Sequence, residues 1–333
     1  MNDEVGPVAA DASLEKALRH VGARAADVTS VSRRPSRFAT LFPADVVTLT
    51  LRSGDRRSVF VKRLGSEQAD HPDKQCRERE VRVYEELLDD ERLPVPRFYG
   101  CEWDGENGRR ELFLEYVDDW DLRYQPLEYW FAAARALGRL HSWFAERRES
   151  LRSLRFLLWI DEGYVRAWAG RAVDAVSSIS RPLGARLEGA AEGIGPAAAL
   201  LAQMPPTLLH NDLSAKNVIA DRSVSPARIC FVDWELAAFG CGPLDLVHLR
   251  YGLDPADAGR LWSVYCAELA GTDVLPRDGE EDAVLAACEL HKTLYRLAHV
   301  RQWRLPRTTV DEWVTDVERL VSTLPRSAAG IRA

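Results

Sequence analysis

His210, Asp212 and Asn217 stand in the run Leu208–Ala220, LLHNDLSAKNVIA, with the spacing H-x-D-x4-N and apolar residues on both sides. Sixteen residues after Asn217 comes Asp233, closing the apolar run Ile229-Cys230-Phe231-Val232. A short polar loop followed by an apolar strand that ends in a carboxylate suits phosphoryl transfer. One carboxylate takes the proton of an acceptor hydroxyl, while an amide oxygen and a second carboxylate hold Mg²⁺ against nucleotide phosphates. Hard oxygen ligands fit Mg²⁺, which keeps several waters and needs only one or two protein carboxylates. Asp212 is the candidate base, and Asn217 and Asp233 are the candidate Mg²⁺ ligands. An ordinary carboxylate is a weak base for a free hydroxyl, but it can orient that group and accept its proton late. The plain alternative for Asn217 is a turn-capping asparagine. His210 reads as a hydrogen-bonding support of the loop.

These residues need a scaffold, and the 333-residue chain is long enough for two lobes and a substantial core. Its 46% hydrophobic and 29% charged residues are those of an ordinary globular protein. A net charge of -7 and a pI near 5.6 argue against a nucleic-acid partner. The acidic N-terminus shows no signal-peptide pattern, and no run of about 18 apolar residues predicts a membrane span. Cys76, Cys101, Cys230, Cys241, Cys266 and Cys288 form no C-x-x-C pair. They read as reduced core thiols of a cytoplasmic protein, with no zinc site expected. Only five of the 44 basic residues are lysines: Lys16, Lys62, Lys74, Lys216 and Lys292. A lysine within a strand or a polar loop therefore invites a reason.

Residues 1–26 read as a helical extension, with helical periodicity over 13–21 and Asp11 or Ser13 as N-cap. A β-hairpin follows, from strands 46–51 and 58–62 about the turn Ser53-Gly54-Asp55, its second strand ending at Lys62. A helix is expected over 75–90 and a further strand over 112–117, so that 27–117 forms a small β-rich lobe. The remainder, 118–333, is mostly helical, including Trp130–Phe144 and segments over 150–203 and 244–325. The class is α+β.

Taken together, the chain resembles the aminoglycoside phosphotransferase and choline kinase family of small-molecule kinases over about 27–325. The resemblance rests on HNDLSAKN, Asp233-Trp234-Glu235, Gly242-Pro243-Leu244-Asp245-Leu246, Lys62 and Leu137-Gly138-Arg139-Leu140-His141. It implies a bilobal protein-kinase-like fold, Mg²⁺, and ATP or GTP as co-substrate. It also implies that Lys62 binds the α- and β-phosphates, positioned by a glutamate of the following helix. Glu80 is preferred over Glu78, because Tyr84 and Leu87 share its helical face; a snorkelling surface lysine is the plainer reading of Lys62. The nucleotide base would lie against Glu115, Tyr116 and Val117, with Ile219 and Val232 as an apolar floor or simply as core. Lys216 either steadies the transferring phosphoryl charge or points at solvent. Asp245 reads as a brace for the loop, and Glu235 as facing either the metal or the acceptor.

Two departures stand out. No G-x-G-x-x-G precedes the hairpin; Ser30–Phe38 occupies that place, where backbone N–H groups, the Ser32 and Ser36 hydroxyls or arginines would have to hold phosphates. There is also no A-P-E segment, which argues against a protein kinase. An acceptor pocket is expected from the 150–205 and C-terminal helices. Trp120, Tyr124, Trp159, Tyr164 and Trp168, with Asp118, Asp121 and Asp161, are candidates for a cationic or sugar-like substrate. An aminoglycoside-type antibiotic or aminosugar ranks first, implying antibiotic resistance. Choline or ethanolamine ranks second, and homoserine-like hydroxyls stay open. The contrasting reading is an inactive nucleotide-binding regulatory module, which should have lost one of Lys62, Asp212, Asn217 or Asp233. A monomer or homodimer is expected.

Overall fold

The computed structural model describes residues 27–37, 42–64, 71–76, 78–104, 109–191 and 193–324. The expected N-terminal helix and the extension over 1–26 lie outside the described residues. The chain divides into two compact units: Met1–Trp120 with Ile219–Glu235, and Asp121–Val218 with Leu236–Ala333.

The first unit is built on a five-stranded antiparallel sheet of β1 (Val28–Pro35), β2 (Ala44–Leu51), β3 (Arg56–Leu64), β4 (Phe98–Asp104) and β5 (Arg109–Glu115). The spatial order is β1-β2-β3-β5-β4, so β3 is central. Two-residue periodicity puts Val59 and Val61 on one face, packed with Val47, Leu49 and Phe113, and Lys62 on the other. The expected hairpin is β2–β3, with Lys62 opposite Ala44 on one side and Leu112 on the other. β1 and β4 are the sheet's edges, and edge strands carry the weakest hydrophobic alternation, which is why only the three inner strands are evident from pattern.

The helix expected over 75–90 is shorter: α1 spans Arg79–Glu86, after a 3₁₀ turn at Pro72–Lys74. The Arg79 guanidinium donates to the carbonyls of Asp73 and Glu235, which holds the preceding segment out of the helix. At the other end Leu87 and Leu88 both donate to the carbonyl of Val83 and close the last turn.

The hairpin β8 (Val218–Asp221) and β9 (Arg228–Phe231) runs from the loop to Asp233. Residues 219–235 group with the first unit rather than with the helical remainder, for visible reasons. Ile219 and Cys230 pack on Val117, Phe231 N donates to Pro94 O at 2.7 Å, and Arg228 pairs with Glu115 at 2.6 Å.

The second unit contains α2 (Leu127–Ala145), α3 (Arg148–Arg152), β6 (Leu158–Trp159), α4 (Glu162–Ile179), α5 (Arg181–Ala191), α6 (Ile194–Gln203) and β7 (Pro206–Leu209). After the excursion through 219–235 come β10 (Ala238–Cys241), α7 (Pro243–Leu249), α8 (Pro255–Glu268), α9 (Glu281–Ala298), α10 (Val300–Trp303) and α11 (Arg307–Thr323). Its core is a continuous apolar cluster running from Ile160 through Leu201, Leu244 and Leu294 to Leu324. β10 lies between β6 and β7, and the β7–β10 ladder delivers the chain to His210. Among the described residues no helix is long and apolar enough to cross a membrane, and all six cysteines are free thiols.

Candidate active site

In the first unit Lys62 Nζ stands 2.7 Å from Glu80 Oε2 and 2.7 Å from Asp233 Oδ1. Glu78, the rival candidate, pairs with Arg110 at 2.9 Å instead. Helical geometry decides between them: Glu80 lies on the buried face of α1 with Val83 and Tyr84, whereas Glu78 precedes the helix. Burial works against the Lys62 ammonium, yet Asp233, Glu80 and Glu235 outweigh it and hold Lys62 protonated well above the ordinary lysine range. Glu80 is pushed up to about 7, by burial first, with Lys62 pulling it down. The two shifts are compatible because one ammonium is shared between two carboxylates: its own charge is secure, while each carboxylate receives only part of it.

Asp233 has φ 71°, a left-handed conformation that aspartate tolerates better than most residues. Trp234 locks the turn from within the core, its indole N–H donating to Phe231 O at 3.1 Å. Glu235 is paired by the half-buried Lys74, a contact that sequence reasoning missed. The scarcity of lysine that singles out Lys62 and Lys216 marks Lys74 and Lys292 equally.

Val117, Ile219, Cys230 and Val232 form one apolar cluster, so the expected floor residues do come together. The N–H groups of Glu115 and Tyr116 are engaged, by Arg97 O at 2.9 Å and Ser58 O at 3.2 Å. This narrows the backbone donors of the 115–117 segment to Val117. Burial raises the Glu115 carboxyl, but the Arg228 guanidinium and the Arg97 N–H hold it below the usual carboxylate range. Of the alternatives for Ser30–Phe38, the backbone N–H cradle needs a correction. Residues 30–35 belong to strand β1, with Ser32 opposite Thr48, and successive N–H groups of a strand alternate in direction instead of converging on an anion. Ser36 is buried at the turn beyond β1, its N–H donating to Ala44 O at 2.8 Å, and Phe38 lies outside the described residues.

In the second unit the loop after β7 is held by Asp245. Its fully buried carboxylate accepts the backbone N–H of His210 and of Asn211, each at 2.7 Å. Asn211 takes φ 66°, so the chain turns sharply just before Asp212. Asp245 lies in the first turn of α7, where the helix dipole favours a negative charge. His141, from α2, reaches Asp245 at 3.4 Å through Nε2 and Tyr265 at 2.8 Å through Nδ1. This gives the Leu137–His141 motif a structural task. His210 supports the loop, its Nδ1 accepting from Asp212 N at 3.3 Å.

Asp212 itself is partly exposed. Its carboxylate accepts from Asn217 Nδ2 at 3.2 Å and pairs with Lys216 at 3.3 Å. Asn217 also donates to Asp212 O at 2.8 Å. With its nitrogen turned onto Asp212, the Asn217 amide oxygen is directed the other way, as a cation ligand would be. Among the described residues no cluster of three or more His, Cys, Asp or Glu could hold a metal. An amide oxygen and a carboxylate oxygen are each hard donors of the kind that Mg²⁺ takes together with phosphates and waters.

The aromatic and acidic acceptor candidates separate. Trp168 is core, Asp121 caps the turn Leu122–Tyr124, and Asp161 caps α4 through Tyr164 N at 2.7 Å. Tyr164 packs against Trp168 and His291. Trp120, Tyr124 and Trp159 are exposed, as is Asp118.

The family described as the phosphotransferase enzyme family matches residues 44–275. The chain belongs to that family, and it is a small-molecule phosphotransferase. No curated protein sequence matches it. Solved structures share its fold at low identity. A putative aminoglycoside phosphotransferase from Ralstonia eutropha is 16% identical, with TM-score 0.57, over 93% of this chain and 95% of that one. A choline kinase from Streptococcus pneumoniae is 15% identical, with TM-score 0.53, over 93% and 99%. An ethanolamine kinase from Plasmodium vivax is 12% identical, with TM-score 0.57, over 93% and 87%.

Proposed function

We propose that the enzyme transfers the γ-phosphoryl group of ATP or GTP to a hydroxyl of a small molecule. The acceptor oxygen bonds to phosphorus as the bridge to the β-phosphate breaks, and its proton passes to Asp212. The products are a phosphate monoester and a nucleoside diphosphate. The observation that carries this reading is the held loop: Asp245 fixes the backbone before Asp212, while Asn217 and Lys216 fix its carboxylate. Preorganisation of this kind is what positions a hydroxyl for in-line transfer.

Lys62, positioned by Glu80, takes the α- and β-phosphates, and Lys216 faces the transferring group. Ser32 and Ser36 supply hydroxyls to the phosphates, and Glu115, Tyr116, Val117, Ile219 and Val232 receive the base. Asn217 and Asp233 are the ligands for Mg²⁺, which when bound offsets charge on the phosphate oxygens. An inactive regulatory role is disfavoured because Lys62, Asp212, Asn217 and Asp233 are all present. The aminoglycoside reading, with antibiotic resistance attached to it, and the amino-alcohol reading rest on the sequence resemblance, and a cytoplasmic location rests on the unpaired pattern of the cysteines.

The test is ADP or GDP release with Mg²⁺, ATP or GTP and a pooled acceptor panel, with Asp212→Ala as control. Acceptor-dependent release that the substitution abolishes supports the proposal. Release that survives it removes Asp212 from the chemistry.

A further inference from the structure

The second unit contains a cavity of about 950 Å³ between α7, α8, α9 and α11, lined among others by Arg250, Tyr251, Trp262, Lys292 and Arg296. Lys292 is only 8% exposed, and among the described residues its ammonium makes no hydrogen bond and no ion pair. Arg296 stands four residues on, on the same face of α9. Its guanidinium lies over the Tyr251 ring, 3.2 Å from the centroid, and forms no ion pair among the described residues.

Four carboxylates also line the cavity, Glu281, Asp282, Glu289 and Asp316, and the last two are engaged by other cations. Glu289 is paired with Arg250 at 2.5 Å and Asp316 with Arg319 at 3.2 Å. Glu281 and Asp282 begin α9, ten or more residues from Lys292 and roughly 15 Å away along the helix axis. Asp212 and Asp245 act on Lys292 through space, but Asp245 is spent on the loop backbone and His141, and Asp212 on Lys216 and Asn217. The remaining neighbours add no negative charge. His248 and His291 are buried, and each has an Nδ1 without a partner. Burial, then Lys292, pushes both imidazoles down, His291 to about 4. Burial likewise lowers Lys292 itself and brings Arg296 to about 10.

An unpaired buried ammonium is costly, and a second cation one helical turn away adds to the cost. A ligand anion would offset both. We propose that the acceptor is anionic: a hydroxylated small molecule bearing a carboxylate or a phosphate monoester, bound in this cavity by Lys292 and Arg296. This rests on the phosphotransferase reading above and specifies its substrate class.

The test uses the full chain, Mg²⁺ and ATP or GTP, with gluconate and glycerol 3-phosphate set against choline and kanamycin. Lys292→Met removes the charge at nearly constant shape, and Lys292→Arg retains it. The expected result is nucleoside diphosphate release with an anionic acceptor. Its KM should rise roughly tenfold or more in Lys292→Met and recover in part in Lys292→Arg, as loss of a charge-assisted hydrogen bond implies. Lys292→Met should also melt at a higher temperature than the parent, which a merely structural lysine would not give. Release with choline or kanamycin at an unchanged KM in Lys292→Met overturns the anionic class and leaves phosphoryl transfer standing. If no acceptor gives release, calorimetric titration with gluconate and glycerol 3-phosphate decides. Binding heat lost in Lys292→Met supports the anion site while phosphoryl transfer fails, and no heat in either protein overturns the anion site.

Discussion

The Asp245 carboxylate accepts the backbone N–H of Asn211 at 2.7 Å across 34 positions of sequence. A fully buried carboxylate that neutralises two adjacent backbone donors is costly to lose, because each N–H would stay buried without a partner. Asp245→Asn presents an NH₂ group to one of those donors. The expected loss is on the order of 3 kcal/mol in urea unfolding, with a fall in kcat, since the loop that carries Asp212 is released.

Asp212→Ala separates binding from chemistry. Nucleotide affinity should stay nearly intact while kcat falls by roughly a hundredfold or more. Equilibrium nucleotide titration alongside steady-state turnover checks both halves. Lost affinity with retained turnover would reassign the residue.

The two glutamates near α1 should behave differently. Glu80→Ala takes from Lys62 one of its two carboxylate partners, and the KM for nucleotide should rise by about tenfold. Glu78→Ala breaks a partly exposed pair with Arg110 and should leave that KM close to the parent's. Equal effects of the two substitutions would argue against a positioning role for Glu80.

Asp119 provides a pH-dependent contribution to stability. Burial raises its carboxyl, but donors from Arg222 and the Trp120 N–H outweigh that and hold it down at about 2, below an ordinary 3.8. A carboxyl depressed on folding stabilises at pH above its unfolded value, and the contribution disappears as pH falls through the folded one. The stability gap between the parent and Asp119→Asn should be about 2 kcal/mol above pH 4 and should close between about pH 4 and pH 2. Denaturant unfolding across that range measures it.

Gly242 stands where a side chain has no room. A Cβ there would lie 2.8 Å from Tyr265 Oη and 2.9 Å from Val274 Cγ1. Tyr265 Oη is hydrogen-bonded to His141 at 2.8 Å and cannot withdraw freely. Gly242→Ala should cost about 1–3 kcal/mol and lower kcat by displacing the start of α7, as thermal unfolding and turnover would report.

The amino-acid sequence by itself determined which residues are the candidates for the chemistry, because their spacing is local. The H-x-D-x4-N loop, the strand leading to Asp233, Lys62 on the inner hairpin and the preference for Glu80 all follow from short-range periodicity, and the phosphotransferase family follows with them. What only the tertiary structure decided is which charges meet. Strand β1 shows too little alternation at the sheet edge to be told from a phosphate-holding loop. The bonds of Asp245 to the loop backbone, the pairing of Lys74 with Glu235 and the unpaired Lys292 depend on residues brought together across long stretches of chain. Periodicity specifies the face on which a side chain lies; whether a buried charge finds a partner there depends on the packing of distant elements.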